Sequence, residues 1–132
     1  MDSPQTLINA PRRRFIIKGN LCTLNEYTRV SRGNKFASAA LKKRQEEIIG
    51  WAIKEQLRSW STVRPVFLAI TWVEKNKRKD KDNIAFAKKF ILDALVKCRT
   101  IIDDKWDNVI GFEDKFAIDK DNPRVIVEIY EL

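Results

Sequence analysis

Histidine is absent from the 132 residues, and cysteine (two), glycine (four), proline (four) and methionine (one) are scarce. Without imidazole, Ser-His-Asp and Cys-His nucleophile systems and His-ligated zinc or iron sites are excluded, because each needs a base or ligand titrating near neutrality. Catalysis must then use carboxylates, lysine or a bound metal. Cys22 and Cys98 are too few for a disulfide framework or a four-ligand zinc site, which leaves two reduced, partly buried thiols. No apolar run approaches the ~20 residues that span a bilayer. Pro11-Arg12-Arg13-Arg14 is followed by only Phe15-Ile16-Ile17 before Lys18, too short for a signal-peptide core. A soluble, cytoplasmic protein is expected.

What is present is a core and a large positive charge. Hydrophobic residues make up 44%, enough for one modest core at a length typical of one domain. The 26 basic and 18 acidic side chains leave a net charge of +8. Residues 1–100 hold 22 basic and 9 acidic side chains, whereas residues 101–132 hold 4 and 9. The positive charge is therefore concentrated, and a surface of that kind favours a polyanion such as nucleic acid.

Residues 1–11 carry two prolines and no periodicity and read as a flexible tail, with one domain over 12–132. Arg14 to Gly19 suggests a first strand. Leu21 to Asn34, polar and closing on Ser31-Arg32-Gly33-Asn34, reads as a loop. Leu41, Ile48, Ile49, Ala52, Ile53 and Trp60 fall on one stripe and predict a helix from Lys35 to about Trp60. Val66 to Val73 is β-branched and aromatic throughout, as in a central strand buried on both faces. Ile84, Ala87, Ile91, Ala94, Leu95 and Cys98 predict one second helix, capped by Asp82 or Asn83. Asn108 to Ile118 and Arg124 to Tyr130 read as strands joined by the turn Asp121-Asn122-Pro123. The order β-α-β-α-β-β implies an α+β domain with a mixed sheet and two main helices.

The chemistry concentrates in Lys75-Asn76-Lys77-Arg78-Lys79-Asp80-Lys81-Asp82-Asn83. In extended backbone Asp80 and Asp82 point to one side, where a buried strand hands over to a helix. Two carboxylates so close repel unless a cation lies between them, and all-oxygen ligands with retained waters suit Mg²⁺. Lys75, Lys77, Arg78, Lys79 and Lys81 would hold phosphates beside it. Asp103-Asp104 is a second acidic pair, and Asp104 completes a three-carboxylate cluster if its segment folds back to the first. The alternative is that Asp80 and Asp82 cap a helix and Asp103-Asp104 is a turn. Lys88 and Lys89 sit mid-helix, where a lysine neutralises a phosphate oxygen or, more simply, pairs with Asp93. Asn25, Tyr27, Arg29 and Arg32 suit phosphate and base contacts. Trp51, Trp60, Trp72 and Trp106 read as core or interface residues, Trp106 being notable for its place just after the acidic pair.

Taken together, Arg78-Lys79-Asp80-Lys81-Asp82-Asn83, Lys89, Leu92-Asp93-Ala94-Leu95 and Ile102-Asp103-Asp104 resemble the RusA family of Holliday junction resolvases, common in prophages, and Leu24-Asn25-Glu26-Tyr27 resembles its Asn-x-Tyr loop. The resemblance covers roughly residues 20–130. It implies a small α+β homodimer that binds four-way DNA junctions in recombination and repair and nicks two strands symmetrically with Mg²⁺ or Mn²⁺. Carried over by position, the essential carboxylates are Asp80, Asp82 and Asp104, with Asp103 beside them, and the essential lysine is Lys89. About one extra helical turn, Ala85-Phe86-Ala87, leaves Lys88 as the alternative lysine. The residue types alone also fit a non-catalytic DNA-binding module, or a metal-dependent nuclease acting on flaps and simple branches.

Overall fold

The structure, a computed structural model, describes residues 12–132. The tail expected over 1–11 lies outside the described residues. In chain order the elements are β1 (Arg12–Lys18), α1 (Leu24–Gly33), α2 (Lys35–Leu57), β2 (Val66–Glu74), α3 (Lys81–Ala85), α4 (Lys88–Lys97), β3 (Val109–Ile118) and β4 (Arg124–Glu131). The expected α+β class and mixed sheet are both present. The strands lie in the order β1-β4-β2-β3, with β2 parallel to β3 and antiparallel to β4, and β1 antiparallel to β4.

β2 is central, as its composition predicted, and eight of its nine residues are buried. Val66, Leu68, Ile70 and Trp72 point to one face and join Phe15, Ile17, Val125, Val127 and Ile129 in a single core with Ile49 and Ile53 of α2, Ile84 of α3 and Phe90, Ile91 and Leu95 of α4. Tyr27 of α1 packs on the same cluster. All four helices thus lie on one side of the sheet. The other side carries Phe67, Ala69, Thr71 and Val73 of β2 and, among the described residues, no helix.

Two expectations are corrected. Residues 24–33, expected as loop, form α1, because Thr23 caps it: its Oγ1 accepts from the Glu26 N–H at 3.2 Å and donates to the Glu26 carboxylate at 3.2 Å. Asn34 then ends α1, donating its N–H to the Val30 carbonyl, and starts α2, its side chain accepting from Phe36 N at 2.7 Å. The second helix is not continuous either. Phe86 and Ala87 separate α3 from α4, and the Phe86 ring turns toward Tyr27 and Phe90, each at a centroid distance of 5.5 Å. The apolar spacing runs through this break, so periodicity alone did not disclose it.

Candidate active site

β2 delivers its last residue, Glu74, to the same end of the sheet as Ile118 of β3, its register partner. The Lys75–Asp80 segment crosses that end and turns into α3. Asp80 and Asp82 there share an open cavity of about 560 Å³ with Lys77, Lys79, Lys81 and, across from them, Phe116 and Ile118. Asp80 occupies the N-cap position of α3, yet its side chain makes no capping hydrogen bond. Asp82 Oδ1 accepts only from the backbone N–H of Asn83, at 2.9 Å. Among the described residues neither carboxylate has a cation within ion-pair distance, although lysines flank both: Lys79 reaches instead to Glu26 at 4.0 Å, and Lys81 sits over the Phe116 ring at 5.5 Å. Both carboxylates are exposed to solvent, and the helix-cap alternative accounts for the position of Asp80 without a capping hydrogen bond.

The N-terminus of α1 is docked beside this pair. Asn83 Oδ1 accepts from the Asn25 N–H at 2.9 Å, which ties the start of α1 to the residue next to Asp82. Tyr27 is half-buried against Phe86 and Phe90, and its ring is part of the packing. Arg29 and Arg32 are exposed along α1, as are Lys75 and Arg78.

The two candidate lysines differ sharply. Lys88 is about four-fifths buried and donates to Asp114 Oδ2 at 2.5 Å, with its ammonium 4.8 Å from the Phe112 ring centre. The other Asp114 oxygen accepts from the indole N–H of buried Trp72 at 2.9 Å. Lys88 is thus held in place by a carboxylate that is itself oriented. Lys89 is exposed and, among the described residues, has no ion pair; the Lys89–Asp93 pairing considered from sequence is not formed, since Asp93 pairs with Lys42 at 3.5 Å. Asp114 was not identified as a site residue from the sequence. The signal was there: on β3 it alternates with Phe112 and Phe116 on the helix side of the sheet, a lone acid in an apolar row.

Asp103 and Asp104 are not brought to Asp80 and Asp82. α3 and α4 return the chain from the end of β2 to the start of β3, where Val109 pairs with Val66. Asp104 therefore stands at the opposite end of the parallel pair, a strand length of roughly 25 Å away at ~3.3 Å per residue. Ions that sit ~2 Å from each oxygen cannot bridge that span. Asp104 lines one cavity with Trp106, Ile110 and Phe112 and another with Lys42, Asp93 and Lys97. Asp103 is engaged locally, Oδ1 accepting from the Asp104 N–H at 2.8 Å, and this hydrogen bond holds its carboxyl below the usual range. Among the described residues, no three of His, Cys, Asp and Glu are placed to hold a metal together. Asp80 and Asp82 alone still suit Mg²⁺, which takes one or two carboxylates and completes its shell with waters and substrate phosphates; the expected three-carboxylate set is not assembled.

Of the tryptophans, Trp72 is core and Trp60 is half-buried under the Arg13 guanidinium, 5.2 Å from its ring centre. Trp51 and Trp106 are exposed, at 72% and 92%. Cys22 is buried and Cys98 half-buried, both as free thiols, and burial pushes the Cys22 thiol up. No helix among the described residues is long and apolar enough to cross a membrane. The chain matches no protein-family model and no curated protein.

Proposed function

We propose that the protein is a metal-dependent endodeoxyribonuclease of the RusA type, acting in the cytoplasm as a homodimer on branched DNA, above all four-way junctions. One observation carries this reading. Asp80 and Asp82 face a common open cavity with their charges uncompensated, inside the most basic segment of the chain. A carboxylate pair without an ion pair to its neighbouring lysines is suited to a cation that arrives with a polyanion.

In this reading Asp80 and Asp82 would hold Mg²⁺ or Mn²⁺. The bound ion would supply a polarised phosphate and a water of lowered pKa. Lys77, Lys79 and Lys81 grip the flanking backbone, together with Lys75 and Arg78. Lys89 is the amine left available to a phosphate oxygen, while Lys88 is fixed on Asp114. Asn25, Arg29 and Arg32 extend the contact along α1. Junctions are recognised by shape, and two sites at fixed separation in a symmetric dimer suit paired nicks.

A second reading, a DNA-binding module without catalysis, is favoured by the separation of Asp103 and Asp104 from the first pair. Asp82→Asn distinguishes the two. The nuclease variant retains junction binding in a gel-shift assay and loses ~100-fold or more of its Mg²⁺-dependent nicking, the scale of removing one member of a catalytic set. Wild-type protein that binds a four-way junction, a flap and a linear duplex but cuts none of them with Mg²⁺ or Mn²⁺ supplied would establish the binding module. Preferential cutting of the flap would reassign the substrate.

A further inference from the structure

Ile48, Trp51 and Lys54 recur at three-residue steps and share one stripe of α2, turned to solvent: Trp51 is 72% exposed and Ile48 46%. Trp51 borders two open cavities, one on each side of the helix. The first, of about 740 Å³, runs along the outer edge of β1 and holds Arg14 and Lys18. The second, of about 570 Å³, lies between α2 and the end of α4 and holds Lys43, Lys54 and Lys97. Together they are lined by six basic and three acidic side chains. Lys97 is paired with the buried Glu46, and Arg124 with Asp119 at 3.0 Å. Among the described residues, Arg14, Lys18, Lys43 and Lys54 have no carboxylate within ion-pair distance, which leaves four free cations against the free Glu47 and Glu55. The Lys54 ammonium lies 5.8 Å from the centre of the Trp51 ring.

We propose that this groove binds single-stranded nucleic acid, with one unpaired base stacked on Trp51 and the adjoining phosphates held by Arg14 and Lys18 on one side and by Lys43 and Lys54 on the other. The excess of free cations calls for an anionic occupant, and an accessible indole in the middle of a cationic path is a platform for any base, since every base has a π-face. A base inside a duplex keeps both faces stacked on its neighbours, so this surface selects unpaired bases. An acidic peptide would meet the same cations, but it does not carry a flat ring at every residue. The groove shares no lining residue with the Asp80–Asp82 cavity. Lys18 nevertheless pairs in register with Arg124, and Arg124 with Val73, so the β1 cavity opens at the same end of the sheet as the acidic pair, roughly 15 Å across at a strand spacing of ~4.8 Å. Use of the groove at a DNA branch rests on the proposed function; the binding itself does not.

The test uses full-length protein, no metal, and a dye-labelled oligodeoxythymidine of about ten residues, followed by fluorescence anisotropy at low salt. Trp51→Ala should weaken binding ~10-fold or more, the scale of losing one stacked base, whereas Trp51→Phe, which keeps a flat ring, should stay within a few-fold of wild type. Trp106 is the other exposed indole, so quenching is read in Trp106→Phe: unlabelled oligonucleotide should quench tryptophan emission there, and adding Trp51→Phe should abolish the quench while binding persists. Lys43→Ala should make the salt dependence shallower by about 0.7 in log–log slope, as loss of one single-strand phosphate contact requires. Trp51 and Lys43 face solvent, and circular dichroism verifies that each variant is folded. Absence of binding at tens of micromolar overturns the proposal, as does affinity indifferent to Trp51→Ala or a quench that survives Trp51→Phe. A duplex or polyglutamate that quenches Trp51 as strongly would also overturn it, by reassigning the groove. Asp82→Asn should bind the oligonucleotide as wild type does. Protein that binds it through Trp51 and cuts nothing leaves the groove standing and removes the nuclease reading; protein that nicks junctions without binding it does the reverse.

Discussion

Arg99 shows how local geometry overrides residue preference. α4 ends with Cys98 as its cap and Arg99 at φ +59°, and two hydrogen bonds close the end: Arg99 N–H to the Val96 carbonyl and Thr100 N–H to the Leu95 carbonyl, both at 3.0 Å. This is a Schellman closure, with Thr100 buried, and its left-handed position is one glycine fills best. A β-carbon there costs about 1–2 kcal/mol, partly offset by the greater freedom glycine has in the unfolded chain. Arg99→Gly should therefore stabilise the protein by about 0.5–1 kcal/mol, read as a rise of a few degrees in melting temperature, whereas Arg99→Ala, which keeps the β-carbon, gains nothing. Equal melting temperatures for the two variants would show that the backbone there is unstrained. At Asp80 and Asp82 the same distinction between position and side chain applies. Asp80 is a cap by position and a free carboxylate by contact, a difference that spacing in a sequence does not express.

Among the elements, the strands were legible nearly to the residue. Val66–Glu74 and Arg124–Glu131 are short β-branched runs bounded by proline or turn residues, and a one-residue slip would turn a buried face to water. Helices were less so. α1 has no fully buried residue, and its basic side chains masked a start signal, Thr23-x-x-Glu26, that is visible in the sequence. Its stability should depend on that start. Thr23→Ala removes the acceptor for Glu26 N–H and should cost about 1 kcal/mol, with faster hydrogen exchange at Glu26 and at Asn25, whose N–H is held by Asn83. Exchange protection that is unchanged in this variant would mean that docking on Asn83, and not the cap, maintains α1. The position of Asp104 was not legible at all. Spacing leaves open whether a helix returns a carboxylate to its starting end or delivers it to the other, and the parallel pairing of β2 with β3 decides for the other.

For the whole molecule, that same crossover separates the two acidic pairs, one at each end of the parallel strands. Asp103, Asp104 and Asp107 gather at the start of the parallel pair, and Lys75 to Lys81 at its finish. Asp119 also lies near the basic end, but Arg124 compensates it at 3.0 Å. Lys75, Lys77, Arg78, Lys79 and Lys81 thus surround the Asp80–Asp82 cavity, and on the proposed function a polyanion would meet that cavity inside this basic segment. On the proposed function, affinity for DNA is governed by counterion release. If Lys75, Lys77, Arg78, Lys79 and Lys81 neutralise four or five phosphates, the logarithm of the binding constant for a junction should fall against the logarithm of salt concentration with a slope of about −4, at ~0.9 per phosphate on duplex DNA. Lys77→Ala is the informative variant, because Lys77 lines the cavity and has no ion pair among the described residues, so that its loss disturbs no other contact. Its slope should be shallower by about 1, with affinity reduced evenly across sequences. A slope unchanged by Lys77→Ala would move the DNA path off this end of the sheet, and the acidic cavity would lose its claim to a phosphate.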